Sequence, residues 1–254
     1  MIQIQNLTFC YPNQNPIFQN FSWNVQRAEN WAILGPSGCG KSTLLYILAG
    51  LLSPNAGEIL INGSHLERPR PHTGLIIQEY GLLPWATVRQ NVALGLRVRG
   101  FYGPDGKHSP IDFQPGSKID PWMERLQILS HADKYPSQLS GGQRQRTAIA
   151  RTLALRPDLL LMDEPFSSLD APTREKLQNL ILELQEEQSL TLLIVTHTIE
   201  EAAILGKKIL LLGDPPIRAP NIIENPSAGS PLYREKKAYT TLISSLREKM
   251  ENNQ

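Results

Sequence analysis

Gly35-Pro36-Ser37-Gly38-Cys39-Gly40-Lys41-Ser42, continued by Thr43, is the stretch on which the fold turns. It fits G-x-x-x-x-G-K-[ST], with an apolar run at 31–34 before it and a helix signal from Lys41 to about Ala49 after it. Glycines let successive backbone N–H groups line a concave nest for phosphate oxygens at a helix N-terminus. Lys41 is placed to reach the β- and γ-phosphates of a nucleotide, and Ser42 to offer a hydroxyl to Mg²⁺. Cys39 within the loop reads as a small residue with no redox role.

Upstream, the runs 2–11, 18–25 and 31–34, with polar turns such as residues 12–16 between them, predict short strands of an antiparallel sheet, and two more strands are expected at 58–62 and 73–77. Residues 87–99 read as a helix. From 101 to 119 three glycines and three prolines fall in nineteen residues, which predicts a loop or insertion rather than a helix. Asp120-Pro121 reads as an N-cap with Pro at the first helical position, opening a helix to about Leu129. Beyond Gly142 helices (to about 155, 171–188 and 198–205) alternate with strands (159–162, 191–195 and 208–212), which implies a parallel sheet with crossover helices. A Pro-rich segment, 214–231, leads to a polar C-terminal helix near 232–250.

Lysine and arginine number 25 against 24 acidic residues, a net charge of +1, so bulk electrostatics give no reason to bind nucleic acid or an acidic membrane. Cys10 and Cys39 alone exclude a disulfide framework. No secretory signal is visible, and the longest apolar runs fall far short of the ~20 residues that span a bilayer. The expectation is a soluble, cytoplasmic chain; if it works at a membrane, another protein spans it.

A second signal is Leu159-Leu160-Leu161-Met162-Asp163-Glu164, an apolar strand ending in two carboxylates. Carboxylates there need a partner. Asp163 suits the Mg²⁺ shell, and Glu164 suits orienting or deprotonating an attacking water. A third is Leu139-Ser140-Gly141-Gly142-Gln143, followed by Arg144-Gln145-Arg146. Ser140 and the glycine N–H groups at a helix N-terminus make another anion site.

With these three motifs the chain resembles the nucleotide-binding subunits of ABC transporters. The resemblance runs from Tyr11 to about Leu212. It implies an α/β P-loop NTPase (RecA-like) with a mixed sheet, an N-terminal antiparallel β subdomain and an inserted α-helical subdomain. In one ABC ATPase domain over 1–254, the nucleotide-binding core would take 1–80 and 157–213. The helical signature subdomain, with its Gly/Pro-rich insertion at 101–119, would take 81–156, and 214–254 would be a C-terminal extension. ATP and Mg²⁺ follow, with two copies paired head-to-tail so that each Ser140–Gln143 signature closes over its partner's phosphate loop. Tyr11 matches the aromatic that stacks on adenine, with a core aromatic as the competing reading. Gln78 matches the loop glutamine that touches Mg²⁺ or water. Asp170, in Ser168-Leu169-Asp170, matches the loop exchanged between subunits, and helix capping is a second role for it. His197 matches the histidine that contacts the γ-phosphate. Catalysis would thus fall to Glu164, His197, Lys41 and Gln78, and the metal to Ser42, Gln78 and Asp163.

The stretch 78–88, with Leu83-Pro84-Trp85 and Thr87-Val88, then Asn91-Val92, looks like the nitrate, sulfonate and taurine importer branch. That likeness implies an ATP-driven importer subunit at the cytoplasmic face of the membrane. It would meet permease subunits through residues 78–87, with Leu82, Leu83 and Trp85 exposed. An extracytoplasmic solute-binding protein would be an indirect partner, and nucleic acid would be none. Two departures stand out: the segment 101–119, and the absence of an arginine-glycine turn in 213–225. An exporter subunit, an ABC ATPase acting on DNA or ribosomes, and a non-hydrolysing ATP sensor are the alternatives. Intact Glu164 and His197 argue against the last.

Overall fold

A computed structural model describes residues 1–114, 118–230 and 232–251. In chain order the elements are β1 (Ile2–Phe9), β2 (Phe18–Val25), β3 (Asn30–Leu34), α1 (Lys41–Leu48), β4 (Ala56–Ile61), β5 (Ser64–His65) and β6 (Thr73–Ile76). There follow α2 (Val88–Tyr102), α3 (Asp120–Arg125), α4 (Gly141–Leu153), β7 (Leu159–Asp163) and α5 (Ala171–Gln188). The chain ends with β8 (Thr191–Thr196), α6 (Ile199–Leu205), β9 (Lys208–Leu211), β10 (Asn221–Glu224) and α7 (Lys237–Glu251). Two compact units divide it: Met1–Pro69 with Gln178–Gln254, and Arg70–Leu177.

In the first unit β2-β1-β4-β5 form an antiparallel sheet; β3, expected among its strands, is not part of it and pairs in parallel elsewhere. The leading residues of β1 alternate buried and exposed, as a strand with one covered face must. By contrast β3 and β8 are buried along their whole length and pair in parallel, with β9 parallel on the other side of β3. Their register sets Leu34 beside Thr196, so the residues that follow, Gly35 and His197, leave the same end of the ladder. Against this sheet Ala202 of α6 and Leu246 of α7 are fully buried, in a core that includes Ala32, Leu34, Ile209 and Leu211.

The second unit contains β6 and β7, parallel, with Ile76 beside Met162. Here α2 opens on a capping box: Thr87 Oγ1 accepts from Gln90 N at 3.3 Å, and Gln90 Oε1 accepts from Thr87 N at 2.9 Å. Fully buried Asn91 donates to the carbonyls of Leu83, Ala86 and Thr87 and accepts from Leu83 N at 2.8 Å. One side chain therefore fixes the loop ahead of α2.

Several expectations are corrected. α2 runs on through Phe101 and Tyr102, into the segment expected to be non-helical. The remainder of 103–119 has no helix or strand among its described residues, and 115–117 lie outside them. Asp120 is not the N-cap of α3: that is Ile119, without a side-chain cap, and Asp120-Pro121 form the first helical positions. The helix stops at Arg125, where Leu129 was expected, and a separate 3₁₀ turn covers Leu129–His131. The Pro-rich segment holds β10, antiparallel to β9. The C-terminal helix starts at Lys237, preceded by a 3₁₀ turn at Tyr233–Glu235. Leu82 and Leu83 are half-buried, so of the predicted apolar trio only Trp85, 73 % exposed, stands fully in solvent.

Candidate functional site

The predicted site residues divide between the units: Tyr11, the loop Gly35–Thr43 and His197 in the first, Gln78, Ser140–Gln143, Asp163, Glu164 and Asp170 in the second.

In the first unit the loop bends tightly between β3 and α1. Gly40 has φ 104°, left-handed backbone that a side chain resists. A Cβ on Gly35 would lie 2.6 Å from the Leu212 carbonyl oxygen and 2.8 Å from Cys39 Sγ, so only glycine fits. Pro36, Ser37 and Gly38 form the outer rim, with Ser37 and Gly38 exposed. Lys41 Nζ donates to the carbonyls of Gly35 at 2.9 Å and Pro36 at 2.7 Å, which holds the ammonium across the mouth of the loop. Burial pushes the Cys39 thiol above its ordinary value despite nearby Lys41, keeping it protonated and inert. Ser42 is half-buried on the first turn of α1. Tyr11 lies just beyond β1, half-buried, edge-on to Phe9 and 3.2 Å from Thr43 Oγ1 through its hydroxyl. That contact ties the aromatic to the helix behind the phosphate loop.

His197 is exposed between β8 and α6. Its neighbours are fixed by a pair that the sequence did not flag. Thr196 Oγ1 donates to Glu201 Oε2 at 2.7 Å and accepts from Thr198 N at 3.1 Å, and both Thr196 and Glu201 are buried. No spacing rule marks such a strand-to-helix link.

In the second unit the β6/β7 register carries Gln78 to Glu164, with Gln78 Nε2 3.4 Å from Glu164 Oε2. Asp163 is buried at the end of β7. Glu164 has φ 45°, and its carbonyl accepts from Ser167 Oγ at 3.1 Å. Ser140 caps α4 with a reciprocal box: Gln143 N donates to Ser140 Oγ at 3.3 Å and Ser140 N to Gln143 Oε1 at 2.9 Å. Gln143 Nε2 is 2.9 Å from His131 Nε2. Gly141 and Gly142 supply the first N–H groups of the helix. Asp170 Oδ2 accepts from Thr173 N at 3.2 Å at the start of α5, so it is a helix cap here. Hydrogen bonds from Thr173 hold its carboxyl below the usual range.

Two more residues bind these loops together. Arg151, on α4, donates to Tyr80 O at 2.8 Å and Gly81 O at 2.6 Å, three residues and fewer beyond Gln78. Tyr80's hydroxyl makes a short hydrogen bond with Ser168, and Arg144 lies 6.0 Å over its ring. The loop after Gln78, the signature helix and the loop before Asp170 are thus joined through Tyr80.

Taken unit by unit, the oxygen donors expected to meet a metal are of the kind that a hard divalent cation takes. Ser42 hydroxyl, Gln78 amide and Asp163 carboxylate are all oxygen donors, and among the described residues no group of three His, Cys, Asp or Glu could cage a metal by itself. Mg²⁺ is commonly held in this way, by one or two protein oxygens with phosphates and water.

A nucleotide-phosphate loop between a buried parallel strand and a helix, with catalytic-type groups at neighbouring strand ends, defines an ATP-binding α/β protein. The ABC transporter family profile matches residues 18–167, and the chain belongs to that family and is an ATPase. It is 39% identical over 221 residues to a taurine import ATP-binding protein of Ruegeria pomeroyi, covering 85% of this chain and 79% of that protein. An aliphatic sulfonates import ATP-binding protein of Bacillus cereus is 38% identical over 209 residues, covering 82% and 78%. Among solved structures, the dimeric post-hydrolysis state of the ATP-binding cassette MJ0796 bound to ADP and Pi is similar. It has a TM-score of 0.73 and 31% identity, covering 88% of this chain and 98% of that one.

Proposed function

We propose that this chain is the ATP-hydrolysing motor subunit of an importer for a small anionic or sulfonate-type solute, working as a head-to-tail pair on permease subunits. The observation that carries the coupling is the approach of Gln78 to Glu164, because residue 78 opens the loop that ends at Trp85 and Thr87. Movement at the membrane partner and readiness for hydrolysis then meet in one contact. The names of the sulfonate and taurine relatives support import and this solute class.

In this reading Tyr11 stacks on adenine, while the N–H groups of the loop Gly35–Thr43 and the Lys41 ammonium hold the phosphates. Ser42, Gln78 and Asp163 hold Mg²⁺, which when bound neutralises phosphate charge. Glu164 takes a proton from the attacking water as its oxygen bonds to the γ-phosphorus and the bond to the bridging oxygen breaks. ADP and inorganic phosphate are left. His197 and Lys41 stabilise the developing charge. Ser140, Gly141, Gly142, Gln143 and Asp170 close on the partner copy's nucleotide. The nucleotide-binding core is 1–80 with 157–213, the helical part 81–156, and 214–254 an extension. Among the described residues no helix is long and apolar enough to cross a membrane, so the permease spans it and this chain sits peripherally on the cytoplasmic side. A solute-binding protein delivers cargo from the other side.

Glu164→Gln should slow ATP turnover by at least about 100-fold, the usual contribution of a general base, while ATP-dependent dimerisation persists by light scattering. Turnover at the normal rate would remove Glu164 from this role. Cells lacking the chain should lose ATP-dependent uptake of a small sulfonate such as taurine, and unchanged uptake across sulfonates and nitrate would refute the solute class.

A further inference from the structure

Within the second unit a cleft of about 360 Å³ opens between β6, α2, α4 and the segment after α2. That volume lies in the range of small-molecule sites. Its walls bring together Arg70, Arg99, Arg151 and His108 beside the apolar Val98 and Leu155.

The charges are unevenly matched. Arg70 is paired with Asp158 in a fork, at 3.2 and 2.9 Å. Arg99 is 94% buried, since 6% of its surface remains exposed, and its guanidinium donates to the Leu155 carbonyl at 2.8 Å and closely to that of Pro71. Arg151 donates to the Tyr80 and Gly81 carbonyls. Among the described residues, the hydrogen bonds of both thus go to neutral carbonyl dipoles. Burial lowers the pKa of each, and the field of Asp112 offsets this only at Arg99. Two arginines that line one cleft, with guanidinium groups bonded to neutral carbonyls, favour an anion there. Also lining the cleft, His108 is held by Asp105, 2.6 Å from its Nδ1, and stacks on Tyr102 at 4.0 Å. His108 belongs to the segment in which this chain departs from the importer branch.

We propose that this cleft binds a small organic anion, a sulfonate or carboxylate on a compact apolar body, and that the bound anion draws on Arg151 at the expense of the Tyr80 and Gly81 carbonyls. The loop between Gln78 and Trp85 then slackens, and ATP turnover falls. The site is separate from the phosphate loop. It rests on the ATPase reading only for its effect on turnover, since binding is read independently.

The probe is butane-1-sulfonate on the full chain, followed by calorimetry and by ATP hydrolysis. One molecule should bind per chain at about 1 mM or tighter, with ATP already saturating, and turnover should drop as the site fills. Val98→Glu and His108→Glu, both at exposed positions, should weaken binding by about tenfold or more, while leaving basal turnover unchanged. Absence of saturable binding, displacement of the probe by ATP, or equal binding by the Glu variants would overturn the site. Binding that leaves turnover unaltered would overturn its action through Arg151. If the chain proves to hydrolyse no ATP, the calorimetric arm still decides the site.

Discussion

Thr196→Val should unseat His197 without touching the phosphate loop. Valine keeps the shape of threonine but loses the hydroxyl that donates to Glu201 at 2.7 Å and accepts from Thr198 N at 3.1 Å. A hydrogen bond to a buried carboxylate contributes about 2 kcal/mol and one from a neutral amide about 1 kcal/mol, so the loss is about 3 kcal/mol. For a chain of this size each kcal/mol moves the midpoint by about 2–4 °C, which sets the expected fall at about 6–12 °C. This hydroxyl bridges the strand and the helix that flank His197. A shift of about 1 Å at a catalytic group costs roughly 100-fold in rate, so kcat should fall steeply while KM for ATP stays near that of the parent. Thr196→Ser is the control, since it keeps the hydroxyl and removes only a methyl. Thermal unfolding and steady-state hydrolysis at a temperature where both variants are folded read the two effects. Equal melting and equal kcat for the Val and Ser variants would refute the reasoning.

Other substitutions test other joints. Gly35→Ala drives a Cβ onto the Leu212 carbonyl oxygen, which is backbone and cannot swing away. Overpacking of this kind costs about 1–3 kcal/mol, and fluorescent-nucleotide binding should weaken by more than the melting shift alone implies. Asn91→Ala deletes the two amide hydrogens shared among three carbonyls and one accepted bond at a fully buried side chain, a loss of about 3 kcal/mol. Limited proteolysis should then cut within 82–87 before the rest of the chain is attacked. Acid should weaken the first unit through Glu29. Burial opposes its ionisation, but bonds from Lys208, the Gln26 amide and Trp31 outweigh this and hold its carboxyl below the ordinary value of 4.5. A depressed folded pKa stabilises above the unfolded value, so that contribution is lost as pH falls from 4.5 through the lower folded value. Lys208, raised chiefly by its bond to Glu29, contributes up to its ordinary 10.5 and loses this as pH climbs through the higher folded value. Glu29→Gln should flatten the acid limb of stability measured by denaturant titration.

Legibility in the sequence followed how locally each feature is determined. Strands buried along their whole length, β3, β7 and β8, announce themselves as apolar runs, and the Gly-Lys-Ser turn and Ser140-Gly141-Gly142-Gln143 are set by backbone needs within a few residues. β10 was not legible, because its four residues are mostly exposed and pair only with β9, so no burial period marks them. Asp120 looked like a cap because Asp before Pro favours that role. In the fold its carboxylate instead meets Arg89 at 2.5 Å, a contact set by the helix 31 positions upstream. The clamp from Arg151 to Tyr80 and Gly81 spans 70 residues, and the Thr196–Glu201 bond crosses a turn that has no sequence rule. Both were therefore invisible.

The positions proposed to carry chemistry share one construction. Gly35 and His197 follow the paired ends of β3 and β8, while Gln78 and Glu164 follow those of β6 and β7. A ladder of buried apolar residues fixes each strand end, so the polar residue beyond it inherits a position that its own side-chain contacts need not supply. Glu164 shows that this position is held against local preference. Its φ of 45° is left-handed, where a non-glycine residue costs on the order of 1 kcal/mol or more. The Ser167 hydroxyl on its carbonyl and the buried Asp163 before it hold the turn. The geometry thus maintained brings the carboxylate within reach of Gln78. A relaxed backbone at residue 164 would point the side chain elsewhere and break the Gln78 contact, which joins the loop leading to Trp85 with the carboxylate proposed to activate water.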